Sequence, residues 1–129
     1  MTTRCIADTS VFIANESGRP IDPGLLPEEV GISIITAAEL RVGVLAATDP
    51  SIRARRLETL ARALRLDPLP IDAAVAAAWA ELRIALRDVG RSMPLNDSWI
   101  AATALAHDAA VLTQDDDFAG VPGLAVIRV

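Results

Sequence analysis

Apolar positions recur at two periods along this chain, and the switches between them mark alternating strands and helices. Arg4-Cys-Ile-Ala-Asp8 predicts a short strand ending at Asp8, followed by a short helix over Val11-Phe12-Ile13-Ala14. Residues 18–27 are rich in Gly and Pro, which predicts a loop with at most one helical turn. Gly31-Ile-Ser-Ile-Ile35 carries β-branched residues and predicts a second strand, with a helix over 36–47 after it. Asp49-Pro50 opens a helix over 51–65, whose apolar face is Leu57, Leu60, Ala61 and Leu64. Pro68 and Pro70 bracket a brief strand-like segment. Asp72 then caps a helix with a buried stripe of Val75, Trp79, Leu82, Leu86 and Val89, ended by Gly90. A helix over 96–108 and strands over 110–113 and 124–129 complete the chain. The order β-α-β-α-α-α-α-β-β predicts an α/β fold, a central, mostly parallel sheet flanked by helices.

Composition narrows the picture. At 129 residues the chain is read as a single domain, 1–129, with one sizeable core. No apolar run approaches the ~18 residues that span a bilayer, and the first fifteen residues lack a signal-peptide pattern, so a cytoplasmic protein with no membrane partner is expected. Cys5 is the only cysteine and His107 the only histidine. A Cys-rich zinc site and, for a monomer, a histidine-pair nuclease are therefore excluded. All 12 basic residues are Arg. Chemistry that needs a lysine, such as a Schiff base or a P-loop, is excluded with them.

The candidate chemistry lies in four short acidic motifs, each where a strand ends or a helix begins. They are Ile-Ala-Asp8-Thr-Ser, Thr36-Ala-Ala-Glu39-Leu, Asn96-Asp97-Ser-Trp-Ile-Ala-Ala-Thr, and Leu-Thr113-Gln-Asp115-Asp-Asp117-Phe. Singly, each acid has a structural explanation. Thr36 and Glu39 read as a capping box, Asp97 stands in a helix first turn, and Asp8 could cap the helix after it. Asp115 to Asp117 could be a solvated turn.

Jointly they ask for more. Strands ending at Asp8, Ile35 and Thr113 would deliver Asp8, Glu39 and Asp115 to one sheet edge, where α/β folds place their sites. Two carboxylates ~5 Å apart repel by about 3 kcal/mol at an effective dielectric of ~20, and a hard divalent cation reverses the sign. Asp8, Glu39, Asp97, Asp115 and Asp117 together account for the whole formal charge of −5. The negative charge is a property of the candidate site. Ser10, Asn96 and Thr113 can donate hydrogen bonds that orient these carboxylates. Gly43, one turn beyond Glu39, is read first as a close-packing position and second as room near the site.

At these residues the chain resembles a PIN-domain ribonuclease, and more narrowly a VapC-type toxin of a bacterial toxin–antitoxin pair. The resemblance runs from Ile6 to about Phe118, with four motifs in order: Asp8-Thr-Ser-Val-Phe-Ile, Thr36-Ala-Ala-Glu39-Leu-Arg-Val-Gly43, Asn96-Asp97 through Thr103-Ala, and Thr113-Gln-Asp115-Asp-Asp117-Phe118. It implies a PIN-like three-layer fold and an endoribonuclease dependent on Mg²⁺ or Mn²⁺. Asp8, Glu39, Asp97 and Asp115 fall on its acidic positions, and Asp117 also matches the fourth. Asp116 would then point to solvent. It implies further an RNA substrate such as tRNA or rRNA, a homodimer, and a cognate VapB-type antitoxin that blocks the site.

Metal held by Asp8, Asp97, Asp115 and Asp117 would activate water and stabilise charge on the scissile phosphate, with Glu39 binding through water or positioning the nucleophile. The arginines between 53 and 65, with Arg83, Arg87 and Arg91, are candidates for contacts to RNA backbone. Val11, Phe12, Ile13, Leu25 and Leu26 exceed what one short helix can bury, and are expected to receive an antitoxin segment or a second subunit. A haloacid-dehalogenase-type phosphatase needs a second Asp where Ser10 stands, and a receiver domain needs the missing Lys. An RNA-processing nuclease of the same fold without an antitoxin, or a non-catalytic binding module, are the alternatives.

Overall fold

The computed structural model describes residues 4–129. Four parallel strands form one sheet in the order β2-β1-β3-β4, with β1 at Arg4–Ala7, β2 at Glu29–Gly31, β3 at Ala110–Thr113 and β4 at Val126–Arg128. β1 and β3 are the inner pair, with Cys5, Ile6 and Ala7 opposite Ala110, Val111 and Leu112. Helices α1 (Thr9–Glu16), α2 (Ile34–Ala46), α3 (Pro50–Leu64), α4 (Ala73–Asp88) and α5 (Leu95–Ala106) cover the sheet. No helix among the described residues is long and apolar enough to cross a membrane.

Strand periodicity explains the three layers. Alternate residues of a strand face opposite sides. Ile6 and Val111 therefore join Leu82, Leu86, Ile100, Ala101, Ala104 and Phe118 in a core under α4 and α5. Cys5, Ala7, Ala110 and Leu112 join Ile32, Leu40, Val44, Leu60 and Ala63 in a second core under α2 and α3, with Val11 and Phe12 of α1 against it. Both faces are buried, as expected of a parallel sheet. Burial pushes the Cys5 thiol up to about 11, which makes it an inert core residue.

Several expectations shift. The strand predicted over 31–35 lies at Glu29–Gly31 instead, and Ile34 and Ile35 are already helical. The reason is Ser33, whose side chain accepts from Ile35 N at 3.1 Å and starts α2 at Ile34, two residues before Thr36. The Pro68–Pro70 segment does pair briefly, as a parallel bridge from Leu69 to Ser33.

The face of α3 is also rotated. Thr59, Leu60 and Ala63 are buried, whereas Leu57 and Leu64 are 53% and 40% exposed and Ala61 is exposed too. Leu60 keeps its place in the core beside the small Thr59 and Ala63, and Leu57 and Leu64 are left outside. On α4, Val75, Leu82 and Leu86 are buried, but Val89 beside the terminating Gly90 is exposed. Residues 18–27 hold one 3-10 turn, Pro23–Leu25.

Candidate active site

β1 and β3 end side by side, so the residues after them meet. Asp8 follows β1, and its backbone N–H donates to the Leu112 carbonyl of β3. It occupies the N-cap position of α1, yet its side chain makes no capping bond. Instead Asp8 Oδ2 accepts from Ser10 Oγ at 2.7 Å and from Thr113 Oγ1 at 2.9 Å. Each hydroxyl is itself fixed, because Gln114 N donates to Ser10 Oγ and Asp115 N donates to Thr113 Oγ1. Asp8 is only 3% exposed, so a carboxylate is held in the interior through one oxygen while the other is uncommitted. The orienting roles read for Ser10 and Thr113 have bonds behind them; Asn96 is exposed and bonds to none of the acids.

Glu39 has a different anchor from the one its sequence suggests. With α2 starting at Ile34, Thr36 lies inside the helix and no capping box forms. Thr9 Oγ1 stands 2.7 Å from Glu39 Oε1 and 3.1 Å from Thr36 Oγ1. A hydroxyl has one proton, and the carboxylate is the stronger acceptor. Thr9 is thus a site residue that the sequence reading passed over. Its only signal was its place beside Asp8 in the first motif. Gly43 is no close-packing position, since an added Cβ would meet nothing nearer than Arg56 Cδ at 3.9 Å. It borders a cavity of about 210 Å³ with Thr9, Ile13, Glu39 and Arg56, and its carbonyl accepts from Arg56.

The remaining acids come from α5 and from the loop after β3. Ile100, Ala101 and Ala104 of α5 are fully buried, which sets the helix close against the sheet and Asp97 into the rim. The Asp97 carboxyl is raised to about 7, first by burial and then by Asp8, Asp117, Glu39 and Asp115. Asp115 is raised as well, by its partial desolvation and by Asp8 and Asp117, against the pull of Arg128 and Arg19. All five acids therefore act on one locus, with Asp117 weighing more on Asp97 than Asp115 does. Asp116 turns outward to pair with Arg128. Arg91 fixes the loop, donating through Nη2 to the Asp117 carbonyl at 2.7 Å and through Nη1 to that of Ala119.

Such a donor set fits a hard divalent cation, being all carboxylate oxygen with mutual repulsion that a cation would relieve. Among the described residues no three acidic, His or Cys side chains stand as a finished coordination cluster. Seating a cation would need side-chain rotation of the acids, most easily of the exposed Asp115 and Asp117.

Comparison with known proteins agrees with this fold. The PIN domain family model matches residues 5–124. Ribonuclease VapC5 of Mycobacterium tuberculosis is 50% identical over 124 residues, covering 96% of this chain and 92% of that protein. Ribonuclease VapC4 of the same organism is 50% identical over 126 residues, covering 98% and 97%. Among solved structures, VapBC-5, a member of the VapBC family of toxin–antitoxin systems from the same organism, aligns with a TM-score of 0.89 at 47% identity, over 98% of this chain and 99% of that one. By family model, sequence and fold together, the chain belongs to the PIN-domain family and, within it, to the VapC group.

Proposed function

We propose that this protein is the toxin of a toxin–antitoxin pair, a metal-dependent endoribonuclease that cleaves structured cellular RNA, tRNA or rRNA, and is neutralised by a cognate VapB-type antitoxin. The observation that carries this reading is the convergence of five carboxylates on one rim, with Asp8 and Glu39 each held by a side-chain hydroxyl from another part of the chain. VapC5 and VapC4 are ribonucleases by name, which supports the activity, and VapBC-5 belongs to a family of toxin–antitoxin systems, which supports the antitoxin.

Asp8, Asp97, Asp115 and Asp117 would hold Mg²⁺, which would supply charge neutralisation at the scissile phosphate and lower the pKa of an attacking water. The chain's own residues do the rest. Ser10 and Thr113 hold Asp8 by one oxygen so that the other faces the rim. The Asp97 carboxyl, raised to about 7 by burial and then by its acidic neighbours, would be held as the anion by a bound cation. Glu39, fixed by Thr9, orients the attacking water and can accept its proton. Ile13, which shares a cavity with Glu39, is 45% exposed and Leu25 and Leu26 are 48% and 41% exposed, and they offer an apolar antitoxin segment its footing.

Mapping of newly cleaved ends in total cellular RNA after brief induction tests the reading. Discrete Mg²⁺-dependent cuts, abolished by co-expression of the neighbouring small gene, are expected. No new ends in any RNA would overturn it.

A further inference from the structure

Beyond the acids, the fold holds an arginine-lined cavity that the proposed chemistry does not use. It measures about 340 Å³ and is bordered by Arg83, Arg87, Arg91, Ser92 and Met93 at the C-terminal end of α4. Two connections tie it to the acidic rim. Arg91 reaches from the cavity to the Asp117 carbonyl, on the loop that carries two of the acids. On the other side, Arg83 lies over the Trp79 ring at 5.2 Å. Trp79 in turn stacks on Trp99 at 4.4 Å and donates through Nε1 to Ser98, the residue after Asp97. The cavity is therefore bracketed by the two elements that deliver Asp97 and Asp117.

The charge is available. Among the described residues Arg83 has no acidic partner, and Arg87 has only its chain neighbour Asp88 at 3.4 Å, with both side chains largely exposed. Stacking fixes the plane of a guanidinium while leaving the N–H groups around its edge free to donate, which suits a phosphate. Arginine beside stacked aromatics is how many proteins follow a single strand.

Resting on the ribonuclease reading above, we propose that this cavity and the Arg83–Trp79–Trp99 stack form a subsite for single-stranded RNA, taking phosphates that flank the scissile one through Arg83 and Arg87. A polyanionic substrate approaching a rim of five acidic side chains needs such a landing place. The subsite sets how long a stretch of unpaired RNA the enzyme engages.

The two tryptophans of the chain both lie in the stack, so intrinsic fluorescence reads this place alone. Wild type, R83Q/R87Q and R4Q would be titrated with a twelve-nucleotide mixed-sequence single-stranded RNA in EDTA, from 50 to 200 mM NaCl. Light scattering and a thermal melt would accompany each protein. Wild type and R4Q, an exposed arginine at the end of β1 away from Asp8, should show the same emission change and the same salt dependence. R83Q/R87Q should bind more weakly, with a log K against log salt slope shallower by about 1.4, the value for two phosphates of a single strand. An unchanged slope in R83Q/R87Q, or an equal loss in R4Q, overturns the subsite. So does a change in solution mass, since the arginines would then hold a second copy. Cleavage plays no part in this measurement, so failure of the ribonuclease reading appears separately, as no RNA cut by wild type with Mg²⁺.

Discussion

Thr9 Oγ1 lies 2.7 Å from Glu39 Oε1, so the glutamate of the rim is fixed by a hydroxyl of the neighbouring helix and by no cap of its own. Thr9→Val keeps the shape and removes the donor. A hydrogen bond to a charged group contributes roughly 1.5–3 kcal/mol, so RNA cleavage should fall about tenfold or more if Glu39 acts in catalysis. The melt should move by about 1 kcal/mol, because Thr36 also loses a neighbour. Wild-type cleavage in Thr9→Val would detach Glu39 positioning from activity.

Asp8→Asn separates a ligand from a structural carboxylate. The amide oxygen can still accept from Ser10 or Thr113, and the charge facing Asp97 is gone. Cleavage should be lost while the metal-free protein melts no lower than wild type. Mg²⁺ at a hundred times its dissociation constant should stabilise wild type by about 2.7 kcal/mol and the variant much less. Melts with and without Mg²⁺, beside one cleavage assay, decide it.

Asp97 makes stability depend on pH. Its carboxyl rises from 3.8 to about 7, so between those values the folded protein binds a proton that the unfolded chain has lost. Stability contributed by that proton is fully present below 3.8 and is lost as pH climbs through about 7. In EDTA the melting temperature should fall from pH 5 to pH 8, and Asp97→Asn should flatten the fall. Affinity for Mg²⁺ should run the other way and increase with pH, which calorimetric titration at pH 6 and 8 would read.

Arg91 holds the fourth acidic loop by two backbone carbonyls. Arg91→Ala should leave the cores intact and loosen residues 114–120, seen as faster amide exchange confined to that loop. Cleavage should drop mainly through kcat, since Asp115 and Asp117 must be placed for the reaction and not for binding RNA alone. Unchanged exchange in the loop would remove Arg91 from the site.

The parallel sheet and the placing of the acids were legible because both follow from periodicity. Short apolar runs end at Asp8 and Thr113, and a parallel sheet must bring such ends to one edge. What escaped depends on partners far apart in sequence. Ile32 to Ile35 has strand composition, yet Ser33 caps a helix there, and only its bridge to Leu69 shows where the chain turns. On α3 Leu57, Leu60 and Leu64 looked like the core face, but Thr59 and Ala63 are buried beside Leu60 while Leu57 and Leu64 are not. The bond from Thr9 to Glu39 spans 27 to 30 residues in its network and leaves no local pattern. Asn96 was a plausible donor by adjacency to Asp97, but the first turn of α5 points it outward.

The bond from Thr113 to Asp8 joins residues 105 apart, and β1 has its inner neighbour only once 110–113 are in place. A growing chain carries Asp8, Glu39 and Asp97 long before it can align them. Pairing between such distant segments is among the later events of folding. The centre is thus unassembled in a growing chain that has not yet reached β3. An antitoxin has only finished molecules to restrain.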